Sequence, residues 1–358
     1  MRTRTALSLV PLLAASVPAL AADGEAPLAW HGHTTTSFTL ADTSAKAADA
    51  GDESLGGGFA NHALITAQAT LAPDVTGTVT IYADAGDALS LSQSFIAWQP
   101  RERLSIEAGL SYGPIGLLPA EQPEFTTVNQ SLIGYIDRYG SGPIGVSAVI
   151  EAHPTITVIL GLYNGFFGDE VGNAGLDLRR APAVDQGGPQ KPSDWAWVAD
   201  VTITEGDICL NGEFVYDAGA VTDRTDAAKA KAVIHLGLNA LWTLGEGDEI
   251  GAEVIWQSNQ PADGDRTLAA QGYITHACEM AGCPSRLSFQ AQLLRTALAD
   301  DAGTAQSLGV QAAMTFNPAP SDRMAITVEA GFARFNADAT GDEAVTGYEL
   351  SANLVLAF

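Results

Sequence analysis

Over long stretches of the chain every second residue is apolar. Val75, Gly77, Val79, Ile81 and Ala83 alternate with Thr76, Thr78, Thr80, Tyr82 and Asp84. Met324, Ile326, Val328, Ala330 and Phe332 alternate with Ala325, Thr327, Glu329, Gly331 and Ala333. A period of two marks a strand whose two faces meet different surroundings. Marking every such run predicts strands near 30–40, 59–71, 75–83, 89–98, 104–112, 131–139, 143–151, 156–163, 194–203, 208–216, 232–243, 249–257, 267–277, 286–296, 306–315, 323–334 and 345–358. A soluble sandwich would bury the apolar faces as a core, whereas a membrane barrel turns them to lipid and lines its lumen with the polar ones.

The connections favour the barrel. A barrel with both ends on one side needs an even number of strands, and these segments are odd in number. The segment 131–139 carries Asp137 and Arg138 without clean alternation, so it drops out. The remaining connections then sort into a short class (72–74, 99–103, 152–155, 204–207, 244–248, 278–285, 316–322) and a mostly longer one (41–58, 84–88, 113–142, 164–193, 217–231, 258–266, 297–305, 335–344). Short periplasmic turns alternating with longer outer loops characterise transmembrane barrels. The expected fold is therefore all-β, an antiparallel up-and-down transmembrane barrel of about 16 strands. Trp30, Trp195, Trp242 and Trp256 fall near strand ends, where an interfacial girdle lies. Trp98 falls in the lumen phase, which points to either a bulge in its strand or a misread register.

The N-terminus adds a compartment. Arg2 and Arg4 precede an apolar stretch from Ala6 to Ala15, and Ala19-Leu20-Ala21 offers the small residues that signal peptidase requires. Residues 1–21 read as a cleaved signal and 22–358 as a single barrel, with the bacterial outer membrane as expected location. Tyr348, Leu350, Ala352, Leu354, Leu356 and Phe358 share one face. A last strand ending in Phe358 resembles the recognition signal of the outer-membrane assembly machinery, which joins outer-membrane lipid as an expected partner.

Charge sharpens the picture. The chain has 358 residues, with 17 Lys+Arg against 42 Asp+Glu and a formal net charge of −25. Such a polyanion excludes nucleic acid, whose binding draws on Lys and Arg. Glu107, Glu151, Asp200, Glu213, Glu253, Glu329 and Glu349 fall in the lumen phase, where no Lys or Arg is evident within a strand interior. Carboxylates lining a pore attract cations.

The stretch Glu107 to Asp177 resembles the OmpL-like family of β-barrel porins. The residues are Gly109-Leu110-Ser111-Tyr112-Gly113-Pro114-Ile115-Gly116, Asn129-Gln130-Ser131, Gly142-Pro143-Ile144-Gly145 and Leu160-Gly161-Leu162-Tyr163-Asn164-Gly165. The match spans about a fifth of the chain, and its short glycine-rich motifs are moderately specific. It implies a porin-like barrel and little about cargo; joined to the acidic lumen positions, the expected function is a passive diffusion channel for small hydrophilic solutes and ions that prefers cations. The wider resemblance is to general porins of 16 strands. In those the loop at the position of 113–142 folds inward, which makes Glu121, Glu124, Asp137 and Arg138 candidates for a constriction. The same resemblance raises a homotrimer.

Other chemistry is thinner. Cys278 and Cys283 bracket a short turn and form a candidate disulfide in an oxidising compartment, with Cys209 left over. His276 nearby gives H-x-C-x4-C without a fourth ligand, and His31 and His33 share a strand face without making a site. Acidic loops such as Asp263-Gly264-Asp265 match no complete calcium loop. The six histidines have no recognisable serine or aspartate partner motif, and no G-x-S-x-G occurs. No metal, cofactor or catalytic residue is assigned. The rival readings are a plugged barrel used for adhesion or envelope structure and, more weakly, an outer-membrane enzyme.

Overall fold

A computed structural model describes residues 28–43, 55–84, 89–111, 144–163, 176–177, 195–222, 230–259 apart from 246, 263–280, 282–299, 303–318, 323–337 and 345–357. The expected signal, loop 113–142, segment 131–139 and Phe358 lie outside the described residues.

In chain order the strands are β1 (Leu28–Thr43), β2 (Leu55–Ala72), β3 (Val75–Asp84), β4 (Leu89–Arg101), β5 (Leu104–Leu110), β6 (Ile144–His153), β7 (Ile156–Tyr163), β8 (Leu176–Asp177), β9 (Ala196–Glu205), β10 (Ile208–Thr222), β11 (Ala230–Thr243), β12 (Glu249–Ser258), β13 (Arg266–Met280), β14 (Cys283–Ala297), β15 (Thr304–Phe316), β16 (Met324–Ala337) and β17 (Val345–Ala357). All but β8 form the wall, each antiparallel to its neighbours. β7 pairs directly with β9, and β1 pairs with both β2 and β17, so the described sheet closes with sixteen strands. β8 belongs to the β7–β9 connection and pairs with Ser90 and Leu91 at the end of β4. Closure leaves no edge strand with unpaired backbone groups.

The sixteen wall strands are the sixteen predicted ones, with ends shifted by a few residues. Connections such as Gly206-Asp207 close one end, the turn end, and the longer ones the other, the loop end. Gly206 has φ 59, the left-handed value that the first central position of a type II′ hairpin turn demands and glycine supplies without strain.

Polarity is inverted relative to a soluble protein. Leu238 is 63% exposed on the outer wall, in company with Val79, Leu160, Phe289 and Leu350. The inward positions Thr80, His235, Gln257, Gln290, Glu329 and Ser351 are at most 1% exposed. An apolar surface of that extent is tolerated only against another apolar medium. Aromatic side chains gather toward both rims. Trp30, Trp98 and Trp242 are exposed at the turn end, and Trp197 at the loop end. Phe38 packs on Phe59 at 4.9 Å and Phe332 on Tyr348 at 5.2 Å, both toward the loop end. The exposed tryptophan at the start of β9 is Trp197, while Trp195 precedes the strand. Trp98 lies outward because β4 has a bulge at Ser92: Thr80 pairs with Gln93 and Ile81 with Leu91. Its Nε1 donates to Asp74 Oδ2 at 2.9 Å.

Two motif glycines have a packing reason. A Cβ on Gly145 would run into the Leu162 carbonyl oxygen and the Tyr163 ring, and one on Gly161 into the same ring. Tyr163 thus lies flat across β6 and β7, hydrogen-bonded to Ser147. Gly145→Val is expected to cost about 1–3 kcal/mol through overpacking, read as a lower urea midpoint of folding in vesicles. A midpoint equal to wild type would show that the slot is not filled.

Candidate functional site

The functional surface is the inner wall, because strand alternation places every second side chain there. Register brings its polar residues into side-by-side contact from β9 to β14. Asp200 pairs with Glu213, Asn211 with Asn239, Asn239 with Glu253 and Glu253 with Gln271. Asn211 Nδ2 donates to Asp200 Oδ2 and, at 2.9 Å, to Thr202 Oγ1. Asn239 Nδ2 donates to Asn211 Oδ1 at 3.1 Å and also to Glu213 Oε1. Glu213 Oε2 faces His235 Nε2 at 3.4 Å, while Gln257 Nε2 lies 3.0 Å from His235 Nδ1. The amide donating to Nδ1 leaves the proton on Nε2, aimed at the carboxylate. Beyond β12, Gln271 Nε2 donates to Glu253 Oε2, and Gln290 Nε2 to Gln271 Oε1 at 3.0 Å.

Amides therefore hold these carboxylates, with His235 also facing Glu213. Amide donors offset the cost of burying charge while leaving the wall negative. Among the described residues, the buried carbonyl oxygens Asn239 Oδ1, Gln257 Oε1, Gln311 Oε1 and Asn353 Oδ1 have no hydrogen-bond partner. An apolar inner patch, Tyr163, Ala196, Val198, Val215 and Val233, sits toward the loop end of β7 to β11.

All seven lumen-phase carboxylates take inward register positions. Glu107 lies opposite Ser147, Glu151 is exposed near the turn end, and Asp200, Glu213, Glu253 and Glu329 are buried. Glu349 pairs with Gly331. Glu121, Glu124, Asp137 and Arg138 fall outside the described residues, so nothing places them at a constriction. The expectation that no Lys or Arg lies in the lumen phase within a strand interior is corrected at Arg286. Arg286 is exposed on the inward phase of β14, between Ala277 and Thr315, and near Tyr273. Lys231 takes an inward register position, in phase with Val233 and His235, at the loop end of β11. β14 begins three residues before the alternation does, which hid Arg286 from sequence reading.

The expected disulfide is not formed. Cys278 and Cys283 are free, because the hairpin pairs Cys278 with Ser285 and Cys283 with Met280. The two thiols are diagonal, two residues out of step, and disulfide geometry favours closer Cβ atoms. Cys209, on the inward phase, accepts a hydrogen bond from Thr204 Oγ1 at 3.6 Å. Alkylation of the unreduced, unfolded protein should tag all three cysteines, with the mass increment as readout; a single tag would restore the disulfide.

Among the described residues no three His, Cys, Asp or Glu side chains converge as metal ligands. Asp265 instead accepts a hydrogen bond from the Ala299 N–H at 3.0 Å, ordering neighbouring loops. At the turn end Asp248 accepts from the Ala277 N–H at 2.9 Å and meets His276 Nδ1 at 3.0 Å. The backbone bond first, and His276 second, hold its carboxyl below the usual range. A depressed value gives stability that is complete above the unfolded value, about pH 4, and lost as pH falls through the folded one. Wild type and Asp248→Asn should thus differ in urea midpoint near neutrality and converge in acid. Parallel profiles would contradict this role.

A closed sixteen-stranded antiparallel barrel, apolar outside and polar inside, is the fold of bacterial outer-membrane porins. Three solved structures of that class resemble this chain. OprB of Pseudomonas putida, in its high-pH structure, aligns with a TM-score of 0.69 at 8% identity over 93% of this chain and 94% of that chain. The outer-membrane channel DcaP of Acinetobacter baumannii aligns with a TM-score of 0.64 at 11% identity over 92% and 97%. An anion-selective porin from Comamonas acidovorans aligns with a TM-score of 0.58 at 11% identity over 92% and 99%. At such identities the likeness is one of fold. No family model and no curated protein sequence matches the chain.

Proposed function

We propose that this chain is an outer-membrane porin of the OmpL-like kind, a passive channel for small hydrophilic solutes and ions that prefers cations. The observation that carries the reading is the inverted polarity of a closed barrel. Its apolar outer wall suits lipid, and its inner wall carries Asp200, Glu213, Glu253 and Glu329. The similarity to an anion-selective porin indicates that one fold serves either preference, so selectivity belongs to the wall charges. The reading includes the apolar last strand ending in Phe358 as the handle for assembly, an infolded 113–142 segment as the constriction, and a homotrimer.

A second reading has a specific observation in its favour. A sixteen-stranded barrel is wide enough for an aqueous channel, yet the four carboxylates just named are only 1–5% exposed. A filled lumen, as in a plugged structural or adhesion barrel, would shield them in this way. Fractionation and vesicle swelling separate the two. The channel reading expects the protein in the outer-membrane fraction, and proteoliposomes that swell in small sugars and progressively less in larger ones. Outer-membrane protein whose proteoliposomes do not swell would favour the plugged barrel.

A further inference from the structure

Three of the six histidines line the inner wall of β1 and β2. His33 is 5% exposed on that wall. Its recorded neighbour is His62 on β2, whose ring centroid lies 6.2 Å away with the planes at 84°. Register explains the approach: His33 pairs with Leu64 and His62 with Thr35, so the two imidazoles are diagonal neighbours on one face. Tyr82 of β3 stacks on His62 at 5.8 Å and 28°, fixing that ring from the far side. His31, two residues before His33, shares the inward phase and is exposed.

The remaining described histidines are accounted for. His235 has both nitrogens engaged, by Glu213 and Gln257, and His276 and His153 bond Asp248 and Thr155. Neutral imidazole nitrogens are the commonest protein ligands of late first-row divalent ions. Two of them on one tetrahedral zinc, at ordinary Zn–N lengths, place ring centroids about 5 Å apart. Closing from 6.2 Å therefore asks for a movement of about 1 Å, within reach of a side-chain adjustment.

We propose that His33 and His62 form a binding site for a late first-row divalent cation, with water completing an open coordination shell. Oxygen-preferring ions such as magnesium are poor ligands for this donor set. The acidic wall would raise the local concentration of cations around the site. Binding does not require that the lumen conduct, so the inference stands apart from the channel reading.

The test is a zinc titration of the refolded full-length protein in detergent at pH 7.5, by calorimetry and by competition with a chromophoric chelator. Magnesium serves as the ion control. One saturable zinc site per chain is expected, weakened about 10-fold or more in His33→Gln and in His62→Gln. His153→Gln, at an exposed turn, should bind as wild type does. Heat modifiability on gels and the tryptophan spectrum verify that each variant is folded, and His31→Gln reports whether the exposed neighbour contributes. No saturable zinc binding by folded wild type, or binding unchanged in both His33→Gln and His62→Gln, would overturn the proposal.

Discussion

Leu238→Arg is expected to cost about 2–4 kcal/mol of folding free energy in a bilayer, enough to leave much of the chain uninserted. Leu238 stands near the middle of β11, paired with Gly212 and Val254, and is the most exposed apolar side chain of that strand. An arginine there faces hydrocarbon unless it snorkels or thins the membrane, and mid-wall is where both remedies are hardest. The same charge on the inner wall meets water and acceptors. Ser37→Arg, at an inward position on β1 opposite Asn353, should therefore cost much less. Urea titration of folding into phosphatidylcholine vesicles measures both. Equal costs at the two positions, or the reverse order, would show that the faces are assigned wrongly.

The second large effect lies inside the wall. Asn239→Leu removes the one amide that donates to both Asn211 and Glu213. Leucine is close to isosteric but donates nothing, so a buried carboxylate loses a charge-assisted hydrogen bond. Leaving a buried charged acceptor short of a donor costs about 1–3 kcal/mol or more. His235 Nε2, 3.4 Å from Glu213 Oε2, remains as that carboxylate's other neighbour. Urea titration of folding into vesicles should show the loss as a lowered midpoint. A midpoint unchanged from wild type would contradict the network.

Most of the barrel was legible because its signal is local. Alternation depends on neighbours two residues apart, and Val75 to Ala83 or Met324 to Phe332 display it without any knowledge of partners. Even the bulge in β4 was readable, since Trp98 stood in the wrong phase for a girdle residue. Facts that depend on register between strands were not readable. Nothing in the sequence says that Asn211 and Asn239 meet, or that Gln271 reaches Glu253, so the carboxylates looked like bare lining groups. The thiols of Cys278 and Cys283 looked opposed, because a turn length alone does not reveal which residues face each other. His33 was weighed with His31, its neighbour in sequence, whereas its partner is His62 on the next strand. Arg286 was missed for a different reason. The β13–β14 hairpin extends to Cys283 through residues that do not alternate, and strand ends are where periodicity is weakest.

Two features now bear on selectivity together. The wall from β9 to β14 offers carboxylates and unpartnered carbonyl oxygens, while Arg286 and Lys231 supply inward positive charge nearer the ends. The proposed cation preference therefore rests on the carboxylates outweighing these two basic residues along the lumen.

The most direct test of a cation-preferring aqueous pore is the current through the refolded protein in a planar bilayer, with the reversal potential taken across a KCl gradient. Stable unitary steps with a reversal potential on the potassium side of zero are expected. Folded protein that gives no steps, or a reversal potential on the chloride side, would contradict it.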